Sequence, residues 1–335
     1  MRIAVTVPAA VGHLNAMTAL AQRLESRGHE VICIGPADAG KGVFVAGLRF
    51  EGYCERQFPL GSCAERAQIL SRLTGDAGVA YTFQWLSDEC RAQLDEAPGV
   101  LERLALDGVV VDQIHQGVSA VAMGIGVPFV TVSCTPLTDL SGVTPHWLFS
   151  WPHEDSEAAR ERNQAGVAGF LKVTAGLRAM AYEHLQSKGI HLDTSDVYSR
   201  ISKLAYLSQM PVAFDFPGDH HPPHFHRTGP FHDGTGREPV VFLWERLTGA
   251  PLIYASMGTL QNGQAETFRA ILAATERPNY QVVLSVGMNT APETLALARP
   301  DTVVVQRAPQ LELLKRAALC GKRASIPSGL SAAIW

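Results

Sequence analysis

Residues 2–35 read RIAVTVPAAVGHLNAMTALAQRLESRGHEVICIG, and this stretch decides the fold. Arg2–Pro8 is a short apolar, β-branched run of the kind that forms a strand buried on both faces. A loop, Ala9–His13, follows it. From Leu14 the apolar residues fall at Leu14, Met17, Leu20, Ala21 and Leu24, the spacing of one helix face. Arg23 and Arg27 suit the C-terminal end of that helix, and Gly28 suits the left-handed turn that closes it. Glu30–Gly35 is a second strand. Two buried strands joined by a helix make a right-handed βαβ unit.

The pattern continues outward. Gly108–Asp112 (GVVVD) is a strand ending in an acid. Val118–Met123 reads as a helix broken by Gly126-Val127-Pro128, and Phe129–Ser133 as another strand. Pro145–His153 is rich in aromatics and loop formers, Ala158–Ser187 is helical, and Asp215–Asp233 reads as a linker loop of Pro, Gly and His. A second block starts near Arg237, with strands Pro251–Ser256, Gln281–Val286 and Thr302–Val305 and helices Gln264–Thr275 and Leu311–Ala318. Strands alternating with helices predict an α/β fold, two Rossmann-like domains facing a cleft. After Cys320 the segment GKRASIPSGLSAAIW has no strand or helix period. No strand is expected after Leu311–Ala318, so the second domain is expected to be incomplete.

The chain has 335 residues, enough for about two domains. Its 28 basic and 32 acidic residues give a net charge of −4, which argues against nucleic-acid binding. The apolar runs fall short of the ~18 residues of a membrane span. Six cysteines without a C-x-x-C pair point to reduced thiols and a cytoplasmic protein. The run Ile3–Val7 is too short for a signal-peptide core.

His13 follows the first strand, at the edge of an open α/β sheet where ligands bind. A histidine there suits a general base, or simply caps or packs the loop. Asp112 ends its strand at the same edge. It either orients His13 or caps the next helix. No nucleophile elbow is present, since Gly117-Val118-Ser119-Ala120-Val121 fails at its last position. Ser256-Met257-Gly258-Thr259 follows a strand and suits phosphate contact through backbone N–H and hydroxyl groups, or is a tight turn. Neither first βα turn carries a dinucleotide fingerprint, and no D-x-D occurs, so the expected site holds no metal. His220, His221, His224, His226 and His232 allow a metal-binding or hydrolytic reading, but Pro222 and Pro223 interrupt them and a packed or solvated linker accounts for them.

Four stretches in order resemble the GT-B-fold glycosyltransferases that use nucleoside-diphosphate sugars, in the branch of macrolide- and zeaxanthin-glucosyltransferase-like enzymes. They are Gly12-His13-Leu14-Asn15 with Leu20–Leu24 and Arg27–Val31, Pro222–His226 with Gly229-Pro230, Tyr254–Thr259, and Ala308–Leu311 with Leu313-Leu314. The resemblance covers 1–320 and implies an acceptor domain (1–214), a linker (215–237), a partial donor domain (238–320) and a divergent tail (321–335). It implies an inverting transfer of a hexose from a UDP-sugar or similar donor to a hydroxyl of a hydrophobic small molecule. His13 would be the base and Asp112 its partner. Gly12, Ser256, Gly258, Thr259, Arg307, Ala308 and Gln310 would meet the donor, with Arg307 standing where many relatives place an aromatic. After Cys320 the family continues with a strand, a His-x-Gly-x-x-Ser/Thr diphosphate loop and an acid followed by Gln or Asn, whereas this chain reads Gly321-Lys322-Arg323-Ala324. The expectation is a truncated or frameshifted product with impaired turnover. The alternative is an inactive homologue that binds small molecules at most.

Overall fold

In a computed structural model of the chain, residues 1–135, 139–216, 221–232, 236–275, 279–295 and 299–321 are described, together with the backbone of 322 and 333–334. Contacts divide the chain into one unit of Met1–Cys63 with Ala80–Arg237, and another of Ala64–Val79 with Glu238–Trp335. Ala64–Val79 thus groups with the second unit.

The first unit is built on strands β1 (Arg2–Thr6), β2 (Glu30–Gly35), β3 (Arg49–Gly52), β4 (Gly108–Asp112), β5 (Phe129–Ser133), β6 (Tyr206–Ser208) and β7 (Phe225–Arg227). Among the described residues these seven form one sheet, order β3-β2-β1-β4-β5-β6-β7, with every pairing parallel. Side chains alternate across a strand, and so do the cores. Ala4, Ile32, Ile34, Val109 and Val111 enter one apolar cluster, while Ile3, Val5, Val31 and Cys33 enter another. Both faces are therefore buried, as the unbroken apolar runs require. The helices up to residue 187 in chain order are α1 (Val11–Glu25), α2 (Gly40–Val45), α3 (Ser62–Arg72), α4 (Gly75–Leu104), α5 (Gln116–Gly124), α6 (Glu157–Val173) and α7 (Ala175–Ser187), of which α3 from Ala64 and α4 as far as Val79 group with the second unit. Gly117 lets α5 approach α4. Its N–H donates to Gln93 Oε1 at 3.1 Å, and a Cβ there would stand 2.7 Å from the Cys90 carbonyl oxygen.

The second unit contains β8 (Leu252–Ser256), α8 (Ala265–Thr275), β9 (Gln281–Ser285), β10 (Val303–Val305), α9 (Gln310–Leu314), β11 (Ala317–Lys322) and β12 (Ala333–Ile334). The sheet order is β10-β9-β8-β11-β12, parallel except for the last pairing. Again the faces alternate, with Ala255 and Leu284 in one cluster and Tyr254, Val283 and Val303 in the other.

Several sequence expectations need correction. Helix α1 begins at Val11 rather than after a loop ending at His13, because the Ala10 carbonyl already accepts Leu14 N–H at 2.9 Å. The helical stretch Ala158–Ser187 is two helices, broken where the Thr174 hydroxyl bonds back to the Phe170 carbonyl at 2.9 Å. The segment read as the loop Asp215–Asp233 includes β7, which adds to the sheet beside β6. The helix expected over Leu311–Ala318 stops at Leu314. A strand does follow it, since Ala317–Lys322 pairs in parallel with Leu252–Ser256. Gly321 and Lys322, assigned to the divergent tail, lie in that strand, whereas 323–332 and His220 fall outside the described residues. No helix among the described residues is long and apolar enough to cross a membrane.

Candidate functional site

In an open parallel sheet, the crevice for ligands opens at the C-terminal strand edge where successive connections run in opposite directions. In the order β3-β2-β1-β4-β5 that point lies between β1 and β4. His13 and Asp112 both belong to it. His13 stands in the first turn of α1, one turn before the buried Met17, and so shares its inward face. Asp112 is the last residue of β4, and its N–H donates to Thr6 Oγ1 on β1 at 2.8 Å.

The two side chains meet, His13 Nδ1 lying 2.7 Å from Asp112 Oδ2. The His13 side chain is 14% exposed and that of Asp112 fully buried. A carboxylate only accepts, so Nδ1 carries the proton and Nε2 is left as the basic nitrogen. Ile114 N–H donates to the other carboxylate oxygen at 3.1 Å, which fixes the Asp112 rotamer. Burial works against the His13 cation, but the Asp112 charge and hydrogen bond, helped by Glu89, outweigh it and raise the His13 pKa. Burial also works against the Asp112 anion. His13, its hydrogen bond, His115 and the Ile114 N–H outweigh that and hold the carboxylate below its ordinary value.

Sequence reasoning passed over two neighbours. His115 is fully buried. Its Nδ1 lies 3.3 Å from the Tyr53 hydroxyl, and burial pulls its pKa down to about 4. Cys134 is the first residue after β5, and its thiol faces the Asp112 carboxylate. Burial first, and then that carboxylate, push the thiol pKa up. The signal for Cys134 was present, because it follows a buried strand just as His13 does. Gly12 is exposed at the same edge, and a Cβ there would meet nothing within 4 Å.

The remaining candidates lie in the second unit, at the C-terminal edge of its own sheet. Ser256 ends β8 and its Oγ accepts Gly258 N–H at 3.2 Å. Asn262 donates to the Gly258 carbonyl at 3.0 Å and accepts from Asn289 at 2.7 Å, so this turn is braced from within. Thr259 is exposed. Arg307 and Ala308 follow β10, and Gln310 opens α9. The Arg307 guanidinium pairs with Glu238 at 2.7 Å. The edges of β9 and β10 are tied by the Gly287 N–H donating to the Gln306 carbonyl at 2.9 Å.

The described histidines of the linker do not collect around a common point. His221 lies 3.3 Å from Asp215, whose same oxygen takes Arg227 at 2.7 Å, an ion-pair arrangement. Residues 146–170 hold an aromatic group, with Phe149 stacked on Trp151 at 3.9 Å and His146 against Phe170 at 4.3 Å.

Comparison with known proteins adds a family context. No protein-family model matches the chain. It is 28% identical over 324 residues to a zeaxanthin glucosyltransferase of Pantoea ananas, covering 94% of this chain and 73% of that protein. Among solved structures, the glycotransferase of kitacinnamycin superposes with a TM-score of 0.67 at 22% identity, covering 96% of this chain and 74% of that one. A Streptomyces glycosyltransferase complexed with thymidine diphosphate gives 0.59 at 16% identity, covering 96% and 76%. The fold is GT-B, and the chain's relatives are glycosyltransferases.

Proposed function

We propose that the chain is an inverting glycosyltransferase. It moves a hexose, glucose as the first candidate, from a nucleoside-diphosphate sugar to a hydroxyl of a lipophilic small molecule in the cytoplasm. The observation that carries this reading is the 2.7 Å contact between a partly exposed histidine and a buried carboxylate at the crevice of a parallel sheet. The zeaxanthin glucosyltransferase and the thymidine diphosphate complex support the acceptor and donor classes. None of the six cysteines forms a disulfide, which suits the compartment.

In this mechanism the acceptor O–H gives its proton to His13 Nε2. The oxygen bonds to the anomeric carbon from the face opposite the leaving group. The carbon–oxygen bond to the diphosphate breaks, and its electron pair leaves with the nucleotide. Asp112 holds the imidazole in the tautomer that accepts at Nε2 and offsets the imidazolium that forms. Charge on the departing diphosphate is met by oriented N–H and hydroxyl donors, for which Ser256, Gly258, Thr259 and the exposed backbone at Gly12 are the candidates. Ala308 and Gln310 are assigned to the base, and Arg307 to stacking on it after leaving Glu238. The aromatic segment 146–170 is assigned to the acceptor side.

The test is incubation of the full chain with UDP-glucose or TDP-glucose and a hydroxylated carotenoid, reading nucleotide release and glucosylated product by mass spectrometry. Product that depends on His13 is expected. Product formed equally by His13→Ala overturns the assignment of the base. Nucleotide or carotenoid binding by the folded chain with no product favours the inactive small-molecule binder.

A further inference from the structure

The crevice between β1 and β4 holds a third side chain that the proposed transfer does not use. We propose that His13, Asp112 and Cys134 form a binding site for a thiophilic divalent cation of the zinc class, and that its occupancy silences the His13 base. The second half rests on the transfer mechanism above; the binding site does not.

Three elements bring the donors together: the first turn of α1, the last residue of β4 and the residue after β5. One ligand atom from each lies within 4.8 Å of the others, and among the described residues no other group of three such side chains does so. Around a tetrahedral zinc ion with arms of roughly 2.0–2.3 Å, ligand atoms stand about 3.3–3.6 Å apart. The site therefore needs adjustments on the order of an ångström. The His13–Asp112 contact opens from its present 2.7 Å as the metal replaces the shared proton. The donor set selects the metal. Nitrogen, carboxylate oxygen and sulfur suit zinc or cobalt, while magnesium and calcium want oxygen alone. Three protein ligands leave a fourth position for water.

The chemistry balances without a redox step. The Cys134 S–H bond breaks, its proton goes to solvent, and a sulfur–metal bond forms. The His13 Nδ1 proton moves to Nε2, so the imidazole stays neutral and gives its Nδ1 lone pair to the metal. Nε2 then carries the ring's one proton and has no lone pair to accept another, so base catalysis stops.

The experiment titrates cobalt(II) into the untagged, full chain without substrate. A thiolate-to-cobalt absorption band at one equivalent per chain is expected, with zinc displacing it and magnesium not. Cys134→Ser is expected to abolish the band. It should also raise the zinc Kd by at least roughly tenfold, the loss seen when even an outer partner of a metal ligand is removed. Cys320→Ser, at the other partly buried cysteine, is expected to retain the band. A band that survives Cys134→Ser overturns the proposal, as does its absence from folded wild-type protein. These readouts involve no turnover, so their failure is distinct from failure of the transferase reading. With an active preparation, zinc inhibition that Cys134→Ser relieves tests the second half, and equal inhibition of both forms overturns it.

Discussion

The two sheets share the order 3-2-1-4 about their first strands, yet their C-terminal edges carry opposite chemistry. At the first, α1 and β4 deliver an ionisable pair whose carboxylate is fully buried and whose imidazole is only partly so. At the second, β8, β9 and β10 deliver hydroxyls, amides and backbone N–H groups, with Asn262 buried beneath them as a brace. Topology supplies the crevice in both cases. On the proposed mechanism, the residues at the strand ends decide whether it moves a proton or cradles an anion. The first edge is specified by one short contact. The second is specified by many weak ones, so the two should fail differently.

The sharpest break is His13→Ala. Loss of a general base typically costs about 10²–10⁴ in rate, so kcat should fall by that factor while nucleotide binding is kept. Ser256→Ala at the second edge should act mainly on donor KM, since its neighbours continue to donate. Steady-state kinetics with nucleotide titration separates the two, and an equal kcat loss in both variants erases the contrast.

Asp112→Asn comes next, with its readout in the pH profile. With His13 as the proposed base, its raised pKa should put the acid limb of kcat/KM above the ordinary histidine value of about 6.5. Activity rises with pH through that limb as Nε2 is freed. Removing the carboxylate leaves burial as the leading influence, so the midpoint should move down. An unchanged midpoint means that Asp112 does not set it.

How much of this was visible in the sequence follows from the same contrast. Strands β1, β2, β4 and β5 were legible because a doubly buried strand must be a run of Val and Ile, and His13 and Asp112 were legible because they end or follow such runs. Strands β6 and β7 were not. Each is three residues long, and β7 lies among the prolines and histidines of a segment with loop composition. Strand β11 (AALCGK) carries Ala and Leu in place of β-branched residues, so its local preference is helical and only pairing with β8 makes it a strand. Helix α4 was missed although it runs from Gly75 to Leu104, because Pro98 and two internal glycines, Gly78 and Gly99, interrupt its period. The Asn262 brace was beyond reach, because it depends on which loops the sheet brings together.

That brace supplies a prediction confined to the second edge. Gly287 sits at φ +75°, and a Cβ there would stand 2.0 Å from Asn262 Nδ2. Gly287→Ala should cost about 1–3 kcal/mol of stability through crowding. It should also loosen the turn at Gly258, raising donor KM, with the first-edge pH profile unchanged. Denaturant unfolding and donor titration check both. A neutral substitution would mean that the turn does not depend on Asn262.

The smallest expected effect lies in how stability depends on acid, and it concerns the first edge alone. His115 is buried uncharged beside Asp112, with its pKa pulled down to about 4 in the folded chain. Unfolded, a histidine titrates near 6.5. Between those values the unfolded chain binds the extra proton, so stability falls as pH falls, by up to about 1.4 kcal/mol per pH unit for one such group. His13 runs the other way, since its folded pKa is raised. Its contribution is full below about 6.5 and is lost as pH rises through the folded value. His115→Asn keeps an acceptor for the Tyr53 hydroxyl and removes the titration. Its unfolding free energy should therefore depend less steeply on pH between 6.5 and 4 than that of the wild type. Ser256→Ala at the other edge should leave that slope as it was. Parallel slopes for His115→Asn and wild type would show that the acid response does not originate at the first edge.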